Sequence, residues 1–294
     1  FYNKRSNDLL ANREADPTLG WRRVTLNYGT MYNRGIEFML SSNNIRTTDF
    51  SWSTTLNFGY NKNKLIDIDD SDINVFGITS GNASVKGYPL GAIFSFRYAG
   101  LNGTDGTPQY YVDGGNRVAK EVTSLDDLAY SGTRIPKYNG SLTNIFTYKS
   151  FNLSIMFVYY GGHVLRGEAA PFLSVAPTTN VNRDILNRWQ QPGDEKRANV
   201  TPAFTGYSLD ATTVRHPWYA ADVHVIKGDY VKLRDLSLTY NFDKQLIGKW
   251  GFSNLALILQ VQNLLTWHAN NEGIDPEALG TFGYGWGQRG IPNP

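Results

Sequence analysis

No cysteine occurs in the chain, which removes disulfide frameworks and thiolate metal sites together. Long apolar runs are missing too. No window approaches the roughly 18 consecutive apolar residues of a membrane-spanning helix, and the opening Phe1-Tyr2-Asn3-Lys4-Arg5 holds no signal-like apolar core. Nor does one sign of charge dominate: 28 basic and 26 acidic residues are interspersed along 294 positions. The clustered Lys and Arg that neutralise phosphates are absent, so no nucleic-acid partner is expected. A mean hydropathy of −0.38 leaves room for a membrane barrel, whose strands alternate polar with apolar residues and carry a weak signal each.

What the chain has in quantity is alternation. Phe50, Trp52, Thr54, Leu56, Phe58 and Tyr60 occupy every second position, with Ser51, Ser53, Thr55, Asn57, Gly59 and Asn61 between them. Successive side chains of a strand point to opposite faces, so this is a ribbon between an apolar and an aqueous medium. Its run matches the about 9 to 11 residues that a tilted strand needs to cross a bilayer. The pattern recurs at Ile36/Phe38/Leu40, at Leu90 to Tyr98, at Phe151 to Tyr159 and at Leu255 to Val261. Between Val231/Leu233 and Leu236/Leu238/Tyr240/Phe242 the phase changes, which predicts either a bulge near Arg234 and Asp235 or two short strands with a bend. Helical periodicity is confined to a short stretch at Asn182 to Gln190.

Connections come in two sizes. Asn43–Asp49, Lys149–Ser150 and Asp243–Gly251 are short, whereas Gly100–Asn139 and Gly161–Val225 far exceed the about 4 to 6 residues usual in compact domains. Tight turns at one end and long loops at the other are the pattern of an outer-membrane barrel. Trp21, Tyr28, Tyr32, Tyr88, Tyr98, Tyr148, Tyr159, Tyr160, Trp250 and Trp267 sit near segment ends and suggest two aromatic girdles. One count does not close. Between the first two short turns the chain must cross an even number of times, yet three strands read clearly there, at Phe50–Lys64, Leu90–Gly100 and Asn139–Tyr148. Either one is spurious or Gln109–Val112 supplies another.

Three stretches carry a family likeness. Gly87-Tyr88-Pro89-Leu90-Gly91-Ala92-Ile93-Phe94-Ser95-Phe96-Arg97-Tyr98-Ala99-Gly100-Leu101 is the first. The second is Ile135-Pro136-Lys137-Tyr138-Asn139-Gly140 with the hairpin around Lys149. The third is the run Gly228-Asp229-Tyr230 to Tyr240, then Gln262-Asn263-Leu264-Leu265-Thr266-Trp267, then Gly273-Ile274-Asp275-Pro276-Glu277. In this order they resemble the barrel of SusC/RagA-type TonB-dependent transporters, and Arg188 to Glu195 resembles a further shared segment. The resemblance implies an all-β fold: an antiparallel transmembrane β-barrel, partial here, with about 8–10 strands of a 22-stranded barrel. It implies that residues 1–294 are a C-terminal portion of such a barrel, with the plug domain and the final strand absent from the chain. It further implies a bacterial outer-membrane location, with long loops extracellular and short turns periplasmic. The partners it implies are a SusD-like surface lipoprotein as lid, the TonB-ExbB-ExbD motor acting through the N-terminal part, and an oligosaccharide or peptide as cargo.

No catalytic constellation, cofactor motif or metal site is expected. His163, His216, His224 and His268 lack zinc-motif spacing. Asp67, Asp69, Asp70 and Asp72 are dense enough for calcium but lack a turn glycine and a distal glutamate, so a solvated acidic loop is the plainer reading. Asp126-Asp127, or Glu272 with Asp275, is an arbitrary glycosidase pair. Asn263, Asp275 and Glu277 are read as loop geometry around Pro276. If the apolar face meets lipid, Glu37, Ser51, Ser53, Thr55, Asn57, Arg97 and Gln260 face an aqueous lumen and are the candidates for cargo contact. Trp189, Tyr207, Trp218, Tyr219, Tyr284 and Trp286, with Phe282, are loop aromatics that suit cargo or a lid protein. The rival from another class is a soluble secreted all-β carbohydrate-binding or hydrolytic module. It requires Phe50, Trp52, Leu56 and Phe58 to pack against a second sheet.

Overall fold

The computed structural model describes residues 1–7, 10–14, 23–27, 29–68, 74–81, 83–112, 115–118, 124–167, 169, 183–203 and 217–277. In chain order the elements are β1 (Tyr2–Ser6), β2 (Leu10–Glu14), β3 (Arg23–Asn27), β4 (Thr30–Arg46), β5 (Phe50–Asp67), α1 (Val75–Thr79), β6 (Ala92–Phe96), β7 (Tyr98–Leu101), β8 (Pro108–Val112) and β9 (Asn116–Val118). There follow β10 (Leu128–Thr133), β11 (Tyr138–Tyr148), β12 (Phe151–Gly161), β13 (Val164–Arg166), β14 (Val225–Lys227), β15 (Tyr230–Asn241), α2 (Lys244–Gly248) and β16 (Ala256–His268).

A seven-stranded antiparallel sheet in the order β1-β4-β5-β11-β12-β15-β16 forms a wall. Its register carries one face across all the long strands. Phe38 pairs with Phe58, Leu40 with Leu56, and Leu56 with Leu142. Beyond them Leu142 pairs with Phe157, Leu153 with Leu238, and Leu238 with Leu259. Among the described residues no second sheet covers this face, and Ile36, Phe38, Leu40, Leu257, Leu259 and Trp267 on it are 50 to 65% exposed. Large apolar patches left open to water are rare in soluble proteins. The face suits hydrocarbon, and among the described residues the packed second sheet that the soluble-module reading requires does not occur.

Aromatic rings bound the apolar band. At one edge Phe50, Tyr148, Phe151 and Tyr240 lie in register, with the Phe151 and Tyr240 centroids 4.7 Å apart. At the other, Tyr60 lies beside Tyr138 at 5.2 Å, and Tyr159 and Trp267 both pair with Val231. Lys62 and Lys64 follow Tyr60 on the same face of β5, so the strand runs on past the band into a polar setting. Of the expected girdle residues, Tyr148, Tyr159 and Trp267 take such places. Tyr160 is on the opposite face beside Tyr230, Tyr88 and Tyr98 lie outside the wall, and Trp21 and Tyr28 are outside the described residues.

The phase change in β15 is a bulge. Met156 and Phe157 pair with Asp235 and Leu233, skipping Arg234, and β16 answers with its own irregularity at Asn263, φ +54°. Without the extra residue every side chain beyond it would exchange faces.

The crossing count closes by a correction. β5 pairs directly with β11, and Leu90–Gly100 is not a stave. It forms β6 and β7 in small sheets, β6 with β10 and β7 with β8 and β9, so Gln109–Val112 is a strand but not a crossing either. Alternation there reflects packing inside a loop lobe. Ile93, Phe94, Ser95 and Phe96 are all buried, so β6 has no wet face. The stretch expected to be helical contains a short 3-10 turn, Arg183–Asn187.

Candidate functional site: the polar wall face and the loop cap

The second face of the wall is polar, as the strand period requires. Ser51, Ser53, Thr55 and Asn57 lie along it on β5, opposite Thr147, Ile145, Thr143 and Ser141 of β11. Asn57 Nδ2 donates to Ser141 Oγ at 3.0 Å, and the Ser41 and Thr55 hydroxyls lie 3.4 Å apart. Glu37 stands on the same face of β4, and Gln260 on β16, where its Nε2 donates to Asp235 Oδ1 at 2.5 Å. Six of the seven lumenal candidates thus share one surface of hydroxyls, amides and a carboxylate. Such a surface can make many weak hydrogen bonds to a polar chain.

Arg97 does not share it. Because Leu90–Gly100 is not a stave, Arg97 sits between β6 and β7, where its Nε donates to Asp127 O at 3.1 Å and its Nη2 lies 3.7 Å from the Asp127 carboxylate. The Asp126-Asp127 pair is thereby a 3-10 turn tied to the lobe. Asp67 accepts from Lys86 at 3.0 Å, while Asp69, Asp70 and Asp72 lie outside the described residues.

The long connections after β5 and β12 fold together into one cap. Phe96 N donates to Ala220 O at 3.1 Å, and Val75, Phe96, Tyr110, Ala220 and Ala221 form a common core. Arg166, half-buried, ties the two connections together. Its Nη2 donates to Phe94 O and Ser95 Oγ at 2.9 and 3.2 Å, and its Nη1 to Tyr219 O and Ala221 O at 3.4 and 3.2 Å. Burial draws the guanidinium down to about 10, against the partial support of Asp222. The Asp222 carboxylate also accepts from Tyr98 N at 3.0 Å. Tyr98 packs against three small cores, one of them through an edge contact with Trp218 at 5.6 Å, and burial pushes its hydroxyl up to about 12.

The loop aromatics are therefore corrected. Trp189 and Trp218 are 9% and 3% exposed, which makes them cap core rather than an open surface. Trp189 packs on Leu101 and Ala203 and donates to Glu195 at 3.3 Å. Gly106, at φ +70°, is required beneath it, because a Cβ there collides with the indole. Tyr219 is half-buried, and Tyr207, Phe282, Tyr284 and Trp286 lie outside the described residues, as does His216.

The C-terminal motif holds what the sequence reading missed. Asp275 Oδ1 accepts from Glu277 N at 2.9 Å, the turn geometry expected around Pro276. The Glu277 carboxylate also gathers three donors: Lys232 Nζ at 2.5 Å, Tyr230 Oη at 2.9 Å and Arg234 Nη2. Lys232 is 2% exposed and reaches Asp275 at 3.4 Å as well, and Arg234 Nη1 donates to Asn263 Oδ1 at 2.7 Å across the paired bulges. Two cations thus meet two carboxylates, the condition for burying them. Burial raises the Glu277 carboxyl, but the bonds from Lys232, Arg234 and Tyr230 outweigh it and hold the group below its ordinary range. Lys232 and Arg234, two cations alternating with Val231 and Leu233 in β15, were the signal in the sequence.

No protein-family profile matches the chain. Curated proteins do: TonB-dependent receptor P3 of Formosa agariphila is 29% identical over 297 residues, covering 95% of this chain and 28% of that protein. TonB-dependent receptor P26 of the same organism is 26% identical, covering 100% and 31%. Among solved structures, the RagAB peptide transporter superposes with a TM-score of 0.73 at 19% identity, covering 93% of this chain and 30% of that one. The RagAB peptide importer in its closed-closed state gives 0.71 at 21%. In sequence and fold the chain resembles SusC/RagA-type TonB-dependent transporters, and it spans about a third of the length of the curated relatives it matches.

Proposed function

We propose that the chain is a section of the barrel wall and loop cap of a TonB-dependent outer-membrane importer for an oligomeric nutrient. The observation that supports this best is the pairing of an exposed apolar face with a hydroxyl- and amide-rich face on one continuous seven-stranded sheet. Among the described residues β1 and β16 are edge strands. In lipid each unpaired edge group costs several kcal/mol, about the strength that forces barrels to close. Other residues of the same protein then supply the remaining staves and the plug. The chain fits as a C-terminal portion of that protein.

In this reading the short turns are periplasmic and the cap is extracellular, where it meets a SusD-like lipoprotein lid. Cargo, an oligosaccharide or a peptide, binds between lid and barrel by hydrogen bonds to surfaces such as Ser51 to Asn57, Glu37 and Gln260. TonB then displaces the plug. The wall residues orient and solvate the cargo and break no bond in it.

Uptake of fluorescently labelled oligosaccharides and peptides by cells carrying the full-length protein tests this. Accumulation of one class is expected, and it should vanish when the TonB motor is deleted. Uptake indifferent to the motor overturns the reading.

A further inference from the structure

The turn between β15 and β16 holds more apolar surface than a watery turn has use for. Asp243 caps α2 by accepting from Gln245 N at 2.6 Å, and the fully buried Ile247 anchors it. Leu246, Trp250 and Phe252 are left 48, 64 and 54% exposed. The lipid-facing band runs down to the start of this turn. The Phe242 ring packs edge-on against Tyr240 at 4.9 Å, and Tyr240 against Phe151 at 4.7 Å. The neighbouring turn presents Tyr148 and Phe151, 53 and 48% exposed, with Lys149 Nζ 5.5 Å over the Tyr148 ring.

Charge at this end is lopsided. Arg46, Lys149, Lys244 and Lys249 stand against Asp49 and Asp243, four cations to two carboxylates. Among the described residues none of the four has a carboxylate partner. Indole and phenyl rings favour the headgroup layer, lysines beside them reach out to phosphates, and anionic lipid attracts clustered cations.

We infer that the short-turn end is seated in the headgroup layer of an anionic phospholipid leaflet. Leu246, Trp250 and Phe252 insert below the phosphates, and Arg46, Lys149, Lys244 and Lys249 engage them. The inference rests on the wall being membrane-spanning, so its test carries a control for that reading.

The full-length transporter is placed in phosphatidylcholine–phosphatidylglycerol nanodiscs. The emission of Trp250, taken as the difference from Trp250→Phe, is challenged with lipid brominated near the carbonyl and with aqueous iodide. Trp267, on the lipid face at the opposite boundary, is read the same way through Trp267→Phe. Trp250 should be quenched by the lipid and shielded from iodide. Trp250 blind to brominated lipid while Trp267 is quenched overturns this inference alone, and both blind overturns the membrane reading. Neutralising Lys149, Lys244 and Lys249 to Gln should lower the preference for phosphatidylglycerol about five-fold per lysine at low salt. An unchanged preference overturns the assignment of these lysines to phosphate.

Discussion

Phe50–Tyr60 and Leu90–Tyr98 share the same two-residue rhythm and end in opposite surroundings. The first is a stave whose apolar side chains remain partly exposed on the outer face of the sheet, and the second packs as β6 and β7 into the cap, where Phe96 is 0% exposed. The period reports that a strand has two unlike faces. It does not say whether the apolar one meets lipid or protein.

The comparison breaks most sharply under truncation. Phe96→Ala removes a fully buried ring from the core shared with Tyr110 and Ala221, and should cost the cap about 3 to 5 kcal/mol. Phe38→Ala, half exposed on the outer face, should cost less than half as much. Denaturant titration of the full-length protein in lipid, with hydrogen exchange resolving cap from wall, checks it. Equal costs would mean that the wall's outer face is packed as tightly as the cap.

Charge insertion sharpens the comparison within the wall itself. Leu40 lies on the outer face, 60% exposed, and its neighbour Met39 on the polar face, 71% exposed. Leu40→Arg should destabilise the inserted barrel by about 2 to 4 kcal/mol, whereas Met39→Arg should be near neutral. Unfolding midpoints in lipid vesicles decide it, and matched effects would remove the lipid from the argument.

The cap should also respond to acid where the wall does not. His224 packs edge-on against Trp218 at 4.4 Å, its Nε2 is buried without a hydrogen-bond partner, and burial together with Arg166 depresses it to about 4. Burial likewise lowers His163, against an opposing contribution from Asp229. An opened cap lets His224 titrate near its ordinary value of about 6.5. Above that pH both states are neutral and nothing is lost. As pH falls from about 6.5 to about 4 the opened state takes up a proton that the closed one refuses, so stability declines, by at most about 3 kcal/mol. Hydrogen exchange of 92–101 and 217–227, corrected for intrinsic rates, should accelerate over that window and flatten in His224→Gln. An unaltered profile in the variant would exonerate this histidine.

The wall was largely legible because each stave separates two media, and that contrast is written into neighbouring residues. Even the bulge at Arg234 announced itself as a change of phase. The cap was illegible because its strands are buried on both sides by segments far away in the chain. Phe96 meets Ala221, and Trp189 meets Leu101, through contacts that no local period encodes. The same holds for the ionic knot: Glu277 reads as a turn acid until the loop returns it to Lys232 and Arg234. Glu37, Ser51, Ser53, Thr55, Asn57 and Gln260 share the polar face because regular alternation fixes the side of the sheet. Arg97 was misplaced because its segment was read as a stave, whereas Trp189 and Trp218 lie in a loop as expected, but in one packed into small cores.

The smallest effect probes a flaw in the outer face. Asn144 pairs with Thr54 and therefore points to the apolar side, amid what alternation reads as hydrocarbon. Its Oδ1 accepts from Trp52 Nε1 at 3.0 Å and from Thr54 Oγ1 at 2.7 Å, and the same hydroxyl accepts from Asn44 Nδ2 at 2.6 Å. A polar group facing lipid has no water to fall back on, so these residues satisfy one another. Asn144→Val gains apolar surface but leaves the indole N–H and the Thr54 hydroxyl without their acceptor, and the net cost should be about 1 kcal/mol, the range of hydrogen bonds measured between membrane segments. Trp52→Phe in the same background should recover part of it, because the stranded donor leaves with the indole. If Asn144→Val instead stabilises the barrel in lipid, the network is idle, and the outer face differs from the cap core only in what covers it.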